Sequence, residues 1–148
     1  MSPSVLVGWR WAEGSTDVTE LPFHETWGVP TLSDVSTDGN VVVGSVYVDG
    51  TFHAVRWLFP GGTAEVLGPG VLHGTNADGH IAVGALNGEA AIWVGDEPPQ
   101  VIAELLAATA NLENWSLGAA LAVSDDGKTI VGEGLHGSTT EGWVARLP

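Results

Sequence analysis

The chain has 148 residues, 44% of them hydrophobic, with four basic residues against 18 acidic ones and a formal net charge of −14. That is apolar enough to fold as one compact domain despite the charge. Arg10, Arg56, Lys128 and Arg146 are too few to displace counterions from nucleic acid or to hold an anionic membrane, so neither is expected as a partner. With no cysteine, disulfides and cysteine-based metal or redox sites are excluded, and no apolar run approaches the ~20 residues of a bilayer-spanning helix.

In chain order, Leu6-Val7-Gly8-Trp9-Arg10-Trp11 reads as a strand whose tryptophans share a face, and Val18 to Leu21 as its partner. A fuller pattern then begins. Strands are predicted near 32–36, 40–48, 51–58 and 63–67, and again near 72–76, 80–86, 89–94 and 100–103. The first pair in each set is joined by a phrase found three times: Ser36-Thr37-Asp38-Gly39, Asn76-Ala77-Asp78-Gly79 and Ser124-Asp125-Asp126-Gly127. Ser or Asn caps such a turn, Asp suits its third position, and Gly supplies a positive φ at no steric cost. Each phrase leads into a strand closing on Val-Gly, at Gly44, Gly84 and Gly132, where a side chain would meet neighbouring backbone. A period of roughly 40 to 50 residues marks an array of one supersecondary unit.

The next strand of each unit ends in Trp. Trp11, Trp57 and Trp93 therefore hold one repeat position and are expected to pack in the core between neighbouring units, with Trp143 in the matching strand of the tail. Val101, Ile102, Leu105 and Leu106, set among good helix formers, predict a short helix near 103–110 whose apolar stripe lids an end of the core. The units are 32–68 and 69–105, preceded by a half unit at 1–31 and followed by a partial unit at 112–148.

Together the Ser-x-Asp-Gly turn, the Val-Val-Gly strand, the Ala-x-Arg-Trp strand (Ala54-Val55-Arg56-Trp57) and the Gly61-Gly62 turn resemble the HAF-repeat family of bacterial secreted and surface proteins. The second copy departs from the pattern at Asn76 and Ile92. The resemblance implies a propeller-like array of four-stranded antiparallel blades, an extracellular or surface setting, and no enzymatic activity or cofactor. A β-trefoil is the alternative architecture. Since closed propellers usually need four or more blades, units that open and close in mid-pattern predict a homo-oligomer completing a ring.

Candidate sites are sparse. Trp27 and Trp115 lie outside the predicted strands and, with His136, could contact a glycan or protein ligand from the loops Trp27–Pro30 and Gly134–Thr140. The five histidines show no metal-ligand spacing, and the Asp-Gly turns offer too few oxygens for calcium, so no metal is expected. Gly132-Glu133-Gly134-Leu135-His136-Gly137 spells a dinucleotide fingerprint but leads into a strand instead of a helix, and reads as a flexible hairpin loop. A rival reading gathers Glu25, Asp34 and Glu113 in a central channel as hydrolase or lyase acids. A third makes the chain a purely structural, self-assembling repeat.

Overall fold

The computed structural model describes residues 7–148, so Leu6 and the opening of the half unit at 1–31 lie outside the described residues. The fold is all-β. β1 (Trp9–Trp11) and β2 (Val18–Glu20) form a two-stranded sheet. β3 (Thr31–Val35), β4 (Val41–Val48), β5 (Thr51–Leu58) and β6 (Thr63–Pro69) form a second, and β7 (Val71–Thr75), β8 (Ile81–Leu86), β9 (Glu89–Val94) and β10 (Gln100–Val101) a third. After helix α1 (Ile102–Leu106), β11 (Trp115–Val123), β12 (Thr129–His136) and β13 (Thr139–Arg146) make a fourth. Every sheet is an antiparallel meander in chain order, and none closes into a barrel, which removes the β-trefoil alternative.

The sheets pack face to face in sequence, and strand alternation explains how each serves two joints. On β5, Val55 and Trp57 turn toward the first sheet, where they meet Leu21, and they cluster with Val46 and Phe59 of their own sheet. Ala54, one residue out of phase, turns the other way and meets Leu72, Ala91 and Trp93. On β9 the pattern repeats, with Ala90 and Ile92 facing Leu117, Ile130 and Trp143 of the fourth sheet. The two later joints each set a bulky indole from one sheet, Trp93 or Trp143, against small or β-branched residues of its neighbour.

The closing glycines mark the crowded points. Gly44 pairs with Val55 and Gly84 with Ala91, and each opposes a bulge in the preceding strand, between Leu32 and Asp34 and between Leu72 and Gly74. A Cβ on Gly44 would overlap the carbonyl oxygen of Thr31, one on Gly84 that of Val71, and one on Gly132 that of Ala119 together with the Trp143 ring. The bulge presses the carbonyl inward, and only glycine leaves room for it.

The three Asp-Gly turns share one hydrogen-bond scheme. Gly39 N–H donates to the Ser36 carbonyl, Gly79 N–H to that of Asn76, and Gly127 N–H to that of Ser124. The capping side chain accepts from the strand beyond: Val41 N–H donates to Ser36 Oγ, Ile81 N–H to Asn76 Oδ1, and Thr129 N–H to Ser124 Oγ. The turns are also bonded to one another. Thr37 N–H donates to the Ala77 carbonyl at 2.9 Å, and Ala77 N–H to the Asp125 carbonyl at 3.4 Å. These two bonds tie the second sheet to the third and the third to the fourth.

Two expectations need correction here. The helix spans Ile102–Leu106 and not 103–110, because the N–H groups of Thr109 and Ala110 fold back onto the Leu106 carbonyl and end it in a turn. Its buried residues, Ile102 and Leu106, seal the joint between third and fourth sheets instead of lidding an end of the stack. The segment Gly134–Thr140 is also no flexible loop. β12 runs to His136 and β13 starts at Thr139, leaving a two-residue hairpin turn.

Candidate functional site

The repeat position expected to hold core tryptophans splits sharply. Trp57 and Trp93 are each 1% exposed, whereas Trp11 is 70% exposed. Trp11 sits in the equivalent register, opposite Val18 as Trp57 sits opposite Ala64. The inter-unit core assignment of Trp11 is therefore corrected: no described sheet covers its face. Trp9 shares that face, while Arg10 points inward with its guanidinium 4.6 Å from the Phe59 ring centroid. The first sheet thus presents Trp9, Trp11 and Val18 as an open apolar surface.

The far end of the stack mirrors this. Register makes Val131 and Val144 of the fourth sheet equivalent to Val83 and Ile92 of the third and to Val43 and Arg56 of the second. Ile92 and Arg56 are 3% and 8% exposed, whereas Val144 is 73% exposed. Val131 and Leu135 lie on the same open face. Trp143 faces inward, two residues ahead of the Trp57 position, which Ala145 holds in this sheet.

Trp27 and Trp115 do not meet. Trp27 packs edge-on to Phe23, with ring centroids 5.8 Å apart, and its side chain joins the core between the first two sheets. Trp115 is no loop residue but the first residue of β11, paired with His136, and the two rings stack in parallel at 4.6 Å. Glu141 Oε2 lies 3.6 Å from His136 Nδ1. One face of the Trp115 ring is thus already occupied by the imidazole.

Nor do the three acids converge. Asp34 spans two sheets, accepting from Val35 N–H at 2.8 Å and from Thr75 N–H at 2.9 Å. Glu25 and Glu113 lie in separate exposed turns, before β3 and before β11. Among the described residues no group of three or more His, Asp or Glu could hold a metal.

The residues that sequence reasoning passed over are those that join sheets. Arg56 Nη2 donates to Glu65 Oε2 at 2.6 Å and to Asp96 Oδ1 at 2.9 Å, tying β5 to the turn after β9. The Ser45 hydroxyl accepts from Leu72 N–H at 3.2 Å across the same joint. Arg56 could have been suspected, since a rare cation inside a strand must find a partner when buried.

The turn aspartates carry the clearest electrostatic signature. Asn40 N–H holds Asp38 below its ordinary 3.8, helped by the Ser36 hydroxyl. His80 N–H lowers Asp78 in the same way, and for Asp126 the Ser124 hydroxyl leads, followed by Lys128 N–H. These hydrogen bonds close the turns and favour the ionised carboxylates.

Groove-like relief lies along the outer edge of β13, where Leu106, Leu112, Trp115 and Trp143 border a cavity of about 450 Å³. Compared with known proteins, the chain matches no family model and none of the curated sequences.

Proposed function

We propose that this chain is a non-enzymatic binding or scaffold module, in which the stacked sheets act as blades of a propeller-like array of the HAF-repeat type. In this reading it works in a bacterial secreted or surface protein, its ligand is a protein surface, and a second copy completes the ring. One observation carries it. The same joint, indole face against Val/Ile face, occurs inside the chain, with Trp93 against Val43 and Trp143 against Val83 and Ile92, and the two faces left open are the two sides of that joint. A face with exposed Trp9 and Trp11 and a face with exposed Val131 and Val144 are complementary and different, so copies join head to tail.

Sedimentation equilibrium tests this with Trp11→Lys on one face and Val131→Lys on the other. The unchanged protein should exceed the monomer mass, and each variant alone should be a monomer. An equimolar mixture should give a one-to-one dimer, because each variant keeps the face the other has lost. A monomeric unchanged protein at high concentration refutes the proposal.

A further inference from the structure

The hairpins at the joint between second and third sheets differ in length. Beyond the matching glycines, β4 runs from Gly44 to Val48, whereas β8 runs only from Gly84 to Leu86 before the Asn87-Gly88 turn. The two extra residues of strand are about 7 Å long, so the second sheet overhangs the third at this end. Alternation puts Tyr47 and its cross-strand partner Phe52 on the face of Ser45 and Ala54, which packs on the third sheet. The overhang leaves this pair uncovered. Both rings are about half exposed and meet edge to face, with centroids 4.9 Å apart.

The pair is held in place. Gly28 N–H donates to the Tyr47 carbonyl at 2.6 Å, and Gly70 N–H to the Phe52 carbonyl at 2.9 Å. Phe52, Pro69, Gly70 and the Asn87-Gly88 turn border a cavity of about 230 Å³. That is smaller than the cleft a drug-sized ligand needs, and suits a single side chain. Charge completes the groove. Asp49 stands at the tip of the β4–β5 hairpin, and Glu89, opposite Leu86, shares the face of Ala91 and Trp93 that turns to the second sheet. Both carboxylates are exposed, and neither forms an ion pair among the described residues. Arg56 is the only Lys or Arg on these four strands, and Glu65 and Asp96 already hold it.

We propose that this groove binds an arginine side chain presented on an extended segment of a partner protein. The guanidinium stacks on the Phe52 ring, and Glu89 and Asp49 accept its N–H groups. The chain builds both halves of this arrangement from its own residues. Arg10 sets its guanidinium 4.6 Å from the Phe59 ring centroid, and Arg56 donates to Glu65 through Nε and Nη2. The net charge of −14 favours a cationic segment over an acidic one. Such a partner presupposes the binding role proposed above but not the head-to-tail joint, since no residue of either open face borders the groove.

The probe is the end-blocked peptide Gly-Ser-Val-Arg-Val-Ser-Gly, titrated into the full chain and followed by amide NMR. Saturable shifts should appear at Phe52, Gly70, Asn87 and Gly88. The same peptide with citrulline, which keeps the shape and loses the charge, should bind about tenfold more weakly. Phe52→Leu keeps apolar bulk without the ring face, and Glu89→Gln keeps hydrogen bonding without the charge. Both positions are exposed, so each variant should retain the native circular dichroism. Each should weaken the peptide about threefold, and the two together about tenfold. Trp11→Lys, which breaks the head-to-tail joint, should bind normally, so failure of that joint and failure of this groove read out separately. Four results overturn the proposal. The first is shifts that never saturate or that appear equally at the Asp-Gly turns, and the second is equal binding by the double variant or by the citrulline peptide. The third is loss of binding in Trp11→Lys. The fourth is shifts at these amides driven by protein concentration alone, which would mean that a second copy fills the groove.

Discussion

Truncating the same repeat position in two sheets separates sequence equivalence from physical environment. Trp93→Ala removes an indole that is 1% exposed and packed between second and third sheets. Loss of a fully buried Trp side chain costs about 3–5 kcal/mol, combining lost transfer energy with the cavity left behind. Trp11→Ala removes a side chain that is 70% exposed, so at a dilution where copies stay apart its cost should fall within about 0.5 kcal/mol. For a chain of this length each kcal/mol moves the unfolding midpoint by about 2–4 °C. Trp93→Ala should therefore melt roughly 6–20 °C lower, and Trp11→Ala within about 2 °C of the unchanged protein. Far-UV circular dichroism with urea and thermal unfolding measures both without depending on the deleted fluorophore. Equal destabilisation by the two substitutions would refute the joint-by-joint account of packing, as would a Trp93→Ala loss below about 1 kcal/mol.

Gly84→Ala should destabilise by about 2 kcal/mol or more, since the new methyl overlaps the Val71 carbonyl and Leu72 backbone, which cannot give way like a flexible side chain; urea unfolding reads it directly. Gly88→Ala, in open space but at φ 81°, should cost only the left-handed backbone penalty of about 1–2 kcal/mol, which tests overlap against conformation. The turns should be acid-sensitive. Asp38, Asp78 and Asp126 have folded-state pKa values below the ordinary 3.8, so their contribution is complete above that value and disappears as pH falls through the lower folded-state values. Melting midpoints should be flat from neutral pH down to about 5 and drop below about 4, and Asp38→Asn with Asp78→Asn and Asp126→Asn should flatten that drop.

Local chemistry was legible in the residues. The Ser/Asn-x-Asp-Gly phrases form capped turns, and Gly44, Gly84 and Gly132 stand where a Cβ would strike backbone. Strand limits near 51–58 and 89–94 agree with β5 and β9, because turn residues fence them on both sides. Less legible were the pairings that span units. Asp34 bonds to Thr75, and Arg56 to Asp96, across 40 or so residues of chain, and no local pattern encodes that meeting. The stacking of Trp115 on His136 follows from a β11–β12 register with two bulges, which spacing alone does not reveal. Trp27 and Trp115, read together as loop residues near one ligand, belong to different joints.

By itself the sequence determined the unit: four short antiparallel strands, where the turns fall, and which side chains share a face, since these depend on nearest-neighbour geometry and the two-residue period of a strand. Tertiary structure alone decided what each face meets. Periodicity makes Trp11 and Trp93 equivalent along the chain, but burial is a property of pairs of sheets, and among the described residues only Trp93 has a sheet across from it. For the same reason the groove beside β13 became visible only when the fourth sheet was set against the third.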